Sequence, residues 1–419
     1  MIRAGGATRF SKTVAGEALE GIETRLRHAD GSERRIWAAT PRRFASLLSE
    51  RDDVFLPTLA LYALICREDL GLDGVHVDPF FRRNIHGALL QYAAWNKRRA
   101  PRIEGAAEAP LVEAKTALAT CFSGGVDSLF TLLRHSAQNR GDPDRSSALD
   151  VSYAMHLFYR SDEDSAADSL RPPVQFERLA ASVGASFLPI YTNIYHFDDR
   201  QYRNYSLIGH GAAFASIGHM LSGGVGCLAL PSSHTYGFLC PYGSTPELDS
   251  LYSSSALAVR NDGPLWTRVE KTAFICRSLE ALAAINVCDK YAADIGYKNC
   301  SRCHKCLRTM TAIDLVGKAN ARDCPAFDWT HYSPRAYGRV HVKSGASAET
   351  DFSTELVEAA RGVRPDIEKA ALENIRRSRW LRPIEFAEST VKRFPLSGAM
   401  RRRLKQARTA VYSVLGASR

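Results

Sequence analysis

The 419-residue chain lacks several things that would have settled its class at once. No stretch approaches the ~18 continuous apolar residues of a membrane span. The longest uncharged segment, 204–246, is broken by Ser222-Gly223-Gly224, Gly226 and Pro231 and reads as a buried helix followed by a buried strand. The opening Met-Ile-Arg-Ala-Gly-Gly has no apolar h-region, so no signal peptide is expected and the protein is expected to be cytoplasmic. Ten cysteines are too few for a disulfide scaffold of this length. Neither a Walker A pattern nor G-x-G-x-x-G is present, which argues against a P-loop NTPase or a Rossmann dehydrogenase. Residue 2 is Ile2 and no cysteine precedes Cys66, so an in-chain glutaminase with an N-terminal cysteine nucleophile is excluded.

Excess charge is also missing from most of the chain. Of the net +10, residues 371–419 carry 12 Lys/Arg against 3 Asp/Glu, leaving 43 against 42 in the first 370. The body therefore needs no nucleic-acid partner. The tail, with Arg376, Arg377, Arg379, Arg401, Arg402, Arg403 and Lys405, is expected to be a separable basic helical region. It is a candidate contact for a polyanion, either RNA or an anionic membrane surface.

What is present is an alternation of apolar strands and helices. Residues 1–114 read as an N-terminal α+β region with short β-leaning pieces such as Arg35-Ile36-Trp37, helices over 56–68 and 81–96, and a linking segment over 97–113. From 115 to 330, strands are expected at 116–122, 151–159, 186–193 and 226–231. Helices are expected from Leu129 and over 173–183 and 210–221. Strands that are apolar throughout fit a parallel, doubly wound sheet covered on both faces. Residues 331–419 read as a loop, Ser-, Ala- and Thr-rich over 343–354, and then a basic helical tail.

The sharpest motif is Ser123-Gly124-Gly125-Val126-Asp127-Ser128, between the first apolar strand and the following helix. Two glycines there expose backbone N–H groups at a helix N-terminus, where the dipole favours an anion, and the two serines add hydroxyl donors. The second signal is Cys300-Ser301-Arg302-Cys303-His304-Lys305-Cys306, with Cys288 upstream across an 11-residue spacer. Four thiolates close a tetrahedral zinc site, and two-residue spacers are usual for such knuckles. His304 could replace Cys288 as ligand, but its place inside the knuckle points it outward. Cys121, Cys227, Cys240, Cys276 and Cys324 are unclustered and read as buried structural thiols. His234, in the loop after the fourth strand, is a candidate for substrate contact or proton transfer, since open α/β sheets bind ligands at strand carboxyl ends. Asp249 and Arg308 are weaker candidates.

The six-residue loop resembles the PP-loop of the N-type ATP pyrophosphatases. That superfamily includes asparagine, GMP and NAD synthetases, tRNA thiolases, lysidine synthetase and 7-cyano-7-deazaguanine synthase. The resemblance covers about residues 115–315 and implies an adenine nucleotide α-hydrolase-like fold that cleaves ATP between the α and β phosphates. It places pyrophosphate against Ser123, Gly124, Gly125, Val126 and Ser128, with Asp127 coordinating Mg²⁺ or positioning the loop. The cysteine spacing is similar to that of the 7-cyano-7-deazaguanine synthase family, which implies structural Zn²⁺ on Cys288, Cys300, Cys303 and Cys306. Lys271 resembles a lysine of that family. Together these imply an AMP-forming ligase that adenylates a carboxylate or amide oxygen of a small molecule for attack by ammonia or an amine. A tRNA-modifying enzyme and a non-catalytic nucleotide-binding assembly protein are the alternatives.

Overall fold

Thirteen short strands organise the computed structural model, which describes residues 1–160, 162, 173–288, 299–340 and 347–391, with 347–351 and 380–391 described through their backbone. The strands are β1 (Ile2–Ala4), β2 (Thr8–Val14), β3 (Glu17–Arg27), β4 (Glu33–Pro41), β5 (Leu70–Leu72), β6 (His76–Val77) and β7 (Ile103–Glu104). They continue with β8 (Ala107–Glu108), β9 (Ala117–Cys121), β10 (Val151–Tyr159), β11 (Ser186–Thr192), β12 (Val225–Pro231) and β13 (Ala258–Asp262). The chain divides into two compact units, Met1–Ser123 with Asp127–Leu265, and Gly124–Val126 with Trp266–Arg419.

The first unit is built on an 11-stranded sheet of order β13-β12-β9-β10-β11-β4-β3-β1-β5-β7, with β2 on β3. Its five strands β13 to β11 are all parallel. Numbered along the chain, those five run 3-2-1-4-5 across the sheet, the doubly wound order whose switch point lies beside the first strand. That first strand is β9. Consequently the serine–glycine loop leaves the carboxyl end of the strand at which the winding reverses.

The expected strands at 151–159, 186–193 and 226–231 are found to within a residue. The fifth parallel strand, β13, was not expected. Its sequence Ala-Val-Arg-Asn-Asp carries two polar residues and a charge at its end, so it lacks the apolar run that marked the others. The N-terminal region adds its antiparallel strands to the same sheet, β4 pairing with β11. β2 and β3 meet in a two-residue hairpin, Val14 opposite Glu17, with Ala15 and Gly16 both at positive φ, which is the twist that tight hairpins favour.

Successive strand residues face opposite sides of a sheet. On one side, helix α1 (Leu56–Cys66), buried nearly all round, packs with α6 (His210–Met220), which lies on Leu228. α2 (Pro79–Trp95) packs on α1 and starts at Asp78, whose carboxylate accepts from the N–H groups of Phe80 and Phe81, with Pro79 in the first turn where its missing N–H costs nothing. On the other side lie α3 (Val126–Arg134) and α4 (Val174–Ser182), α4 packing on β11. The sheet is therefore covered on both faces, as the apolar strands predicted. α5 (Asp199–Asn204) runs through a π-helical turn, Tyr205–Gly209, into α6, and α7 (Pro246–Asp249) is a single turn.

The second unit is helical: α8 (Arg268–Ile275), α9 (Leu279–Ala284), α10 (His304–Leu315), α11 (Pro334–Arg339), α12 (Ser347–Ala360) and α13 (Pro365–Val391). α8 opens with a capping box between Thr267 and Glu270. The Ser/Ala/Thr-rich stretch expected as loop over 343–354 enters α12 at Ser347, because Phe352, Leu356, Val357 and Ala360 bury one face of it. The tail is also not separable from residue 371. Ala371, Asn374 and Ser378 are buried, and Asn374 donates to the carbonyls of Tyr337 (2.9 Å) and Val340 (3.0 Å). Arg376, Arg377 and Arg379 lie on this packed part of α13, whereas Arg401, Arg402, Arg403 and Lys405 fall outside the described residues.

Candidate functional site

The loop after β9 is held from both ends. The N–H of Ser123 donates to Ser128 Oγ at 3.2 Å, and the two serine hydroxyls lie 3.3 Å apart. Gly124 sits at φ +78°, a left-handed conformation that turns the chain into α3 at a residue without a Cβ. The helix starts at Val126, three residues earlier than expected, so Val126, Asp127 and Ser128 form its first turn. A helix N-terminus directs its first-turn backbone dipoles outward and favours an anion there. Within the second unit, the Gly124 carbonyl accepts from the N–H of Asn286 at 2.7 Å.

Two buried histidines fix the strand and the helix that flank the loop. His156 on β10 donates from Nδ1 to the Phe122 carbonyl at 2.7 Å, and burial pushes its pKa down to about 4, so it serves as a neutral donor. On α3, Thr131 Oγ1 donates to Asp262 Oδ2 at 2.8 Å, and His135 Nε2 meets Asp262 Oδ1 at 3.0 Å. Burial alone would raise the Asp262 carboxyl, but the His135 hydrogen bond and charge bring it down to about 2. The helix behind the loop is thereby pinned to the end of β13.

On the opposite face, the carboxyl ends of β9, β12 and β13 open onto a polar and aromatic cluster. Leu230 and Asn261 are paired in the sheet, one residue beyond Ala229 and its partner Thr120. Asn261 Nδ2 donates to Asp249 Oδ2 at 2.8 Å, and Ser244 Oγ donates to the same oxygen at 2.8 Å. Asp249 is 0% exposed, and burial pushes its pKa up to about 7 despite those hydrogen bonds. His234 is 3% exposed, with Ser232 Oγ donating to its carbonyl at 2.6 Å. Its ring stands edge-on to Tyr242 at 5.1 Å, and Tyr242 in turn meets His210 at 4.8 Å. Burial lowers His210 to about 4. Tyr205, brought in by the π-helical turn, places its hydroxyl 2.8 Å from that of Tyr159, and its ring lies 4.5 Å from Tyr195. Such turns recur at functional sites.

This packing needs two glycines. A Cβ on Gly211 would lie 2.1 Å from the Gly243 carbonyl oxygen, and one on Gly243 would lie 2.3 Å from His210 Nδ1. The loop 232–245 can approach α6 only because both are absent.

In the second unit, Cys288, Cys300, Cys303 and Cys306 bring their sulfurs within 4.8 Å of one another. The Cys303–Cys306 and Cys300–Cys306 sulfurs are 3.5 and 3.9 Å apart, on either side of the roughly 3.8 Å that tetrahedral Zn–S bonds of about 2.3 Å require. The N–H groups of Cys300 and Cys303 point at the sulfurs of Cys288 (3.4 Å) and Cys300 (3.3 Å). Ser301, buried and at φ +56°, makes the knuckle turn. The donor set fits zinc, and His304 stands outside it, as expected. Lys271 is 2% exposed on α8. Arg308 is buried against Phe352, its guanidinium 4.4 Å from the ring centre, with Arg268 at 4.1 Å.

The structure thus assembles Ser123, Asp127 and Ser128 on one turn and the four cysteines in one cluster, and in the first unit it packs His234 against Tyr242 and Asp249 against Ser244 and Asn261. Sequence reading did not find His210, Ser244, Thr245, Tyr242 or Asn261; none lies in a spaced motif. No protein-family model, curated protein or solved structure matches the chain.

Proposed function

We propose that this protein is an ATP-dependent, AMP- and pyrophosphate-forming ligase of the PP-loop type, with the adenine nucleotide α-hydrolase-like fold. It adenylates a carboxylate or amide oxygen of a small molecule for attack by a nitrogen nucleophile. The observation that supports this best is the place of Ser123-Gly124-Gly125-Val126-Asp127-Ser128. It leaves the first strand of a 3-2-1-4-5 parallel sheet, at the switch point, and opens a helix.

In this reading the N–H groups of Gly125 to Ser128 and the hydroxyls of Ser123 and Ser128 hold the phosphates that leave as pyrophosphate. Mg²⁺ would be held by Asp127 and would offset phosphate charge. Lys271 would add a cation toward phosphate. Stabilising negative charge on the leaving group is the main catalytic demand. His234, in its aromatic surroundings, contacts the acceptor substrate. Zn²⁺ on the four cysteines would be structural, since four protein ligands leave no open coordination position.

Product analysis tests the reading. With candidate carboxylates or amides and ammonium present, ATP should yield AMP and pyrophosphate. ADP as the product would overturn it.

A further inference from the structure

The turn that carries Asp249 gathers buried oxygens of one kind. Asp249 Oδ1, Thr245 Oγ1, Glu247 Oε2 and Asn261 Oδ1 are all inaccessible and have no hydrogen-bond partner. Asp249 is 0% and Thr245 1% exposed. An uncompensated buried oxygen costs on the order of 1–3 kcal/mol, more for a charged group, so four in one short segment and its neighbouring strand call for a ligand that satisfies them together.

The neighbouring bonds define what that ligand offers. Asp249 Oδ2 already accepts from Ser244 and from the Asn261 amide nitrogen, and the Thr245 backbone N–H adds to the same carboxylate. The Asn261 contact uses its NH₂ on a carboxylate, so its carbonyl oxygen is the acceptor left over. A threonine hydroxyl rotates to accept as readily as to donate. The set is therefore two carboxylate oxygens, one amide oxygen and one hydroxyl, all able to accept, and its chemical complement is a donor of positive charge. The Tyr252 hydroxyl lies 3.5 Å from that of Tyr92, and the Asp249 charge adds to the burial that raises both.

We infer that Asp249, Thr245, Glu247 and Asn261 form a buried seat for a small nitrogen cation, ammonium or the primary ammonium group of an amine. The inference rests on the ligase reading, in which a nitrogen nucleophile is required, and it gives that nucleophile a place.

The test needs neither ATP nor the acceptor. The full chain is melted in ammonium, methylammonium, potassium and tetramethylammonium chlorides at equal ionic strength. Ammonium should raise Tm above the tetramethylammonium value in a saturable way. A matching rise with methylammonium assigns the seat to an amine, and a rise with ammonium only assigns it to free ammonia. Asp249→Asn should abolish the effect. Thr245→Val, close in shape, should weaken apparent ammonium affinity about tenfold, as loss of one hydrogen bond to a charged group does, and it carries the test if Asp249→Asn does not fold. An equal rise in potassium, no ammonium-specific rise, or a rise that survives in both variants overturns the site. AMP formation without the ammonium effect would sink the seat and leave the ligase reading; ADP formation with the effect would do the reverse.

Discussion

His135 Nε2 lies 3.0 Å from Asp262 Oδ1, and neither side chain is exposed. The pair links the helix behind the serine–glycine loop to the last residue of β13, so loop position depends on a bond made 127 residues away in the chain.

Asp262→Asn should therefore cost about 3 kcal/mol or more in denaturant unfolding, the usual effect of breaking a buried pair from one side. The carboxyl is held at about 2 against an ordinary 3.8. Its stabilisation is present above pH 4 and lost as pH falls toward 2. The gap between wild type and variant should shrink across that window. A gap that stays flat would remove the charge from the explanation.

One Zn²⁺ per chain is expected by metal analysis of the purified protein. A Cys303→Ser/Cys306→Ser variant should lose it and melt earlier, since the energy of a closed four-thiolate site is folding energy. Unchanged zinc content in the variant would disprove the ligand set.

The Asp249 carboxyl, pushed up to about 7 from 3.8, carries the opposite pH signature. A raised acid contributes stability that is fully present below its unfolded value and is lost as pH rises through its folded value. Relative to wild type, Asp249→Asn should gain stability between pH 4 and 7 and level off above. The limit is on the order of 4 kcal/mol, measured without ammonium. No pH dependence in the difference would place Asp249 in a better solvated setting.

If the loop acts on phosphate, Asp127→Ala should reduce AMP formation by on the order of 10²-fold, as loss of one preorganised electrostatic element does. Undiminished turnover would refute its role.

Truncation after Val391 should leave the second unit folded, because the packed part of α13 is kept. Truncation at residue 370 should unfold that unit by removing Ala371, Asn374 and Ser378. Salt-sensitive retention of tRNA should disappear in the first variant. Retention that survives would exonerate the tail.

By itself the sequence determined four of the five parallel strands, the loop and the spacing of the cysteines. Each is a local pattern: β10, β11 and β12 are continuous apolar runs, the loop is six adjacent residues, and three of the four cysteines sit at regular spacing. Other elements had no local signal. β13 is Ala-Val-Arg-Asn-Asp, stable as a strand only because β12 offers it an edge, and the hairpin of β2 and β3 turns on Ala15-Gly16 rather than on an Asn-Gly pair. α12 and the packed start of α13 looked loose or solvated until their buried faces met. Only tertiary structure decided the surroundings of Asp249. Ser244 shares its segment, but Asn261 arrives on β13. What makes Asp249 unusual is the water that this convergence excludes, and exclusion of water is a property of the packed chain that no spacing of residues records.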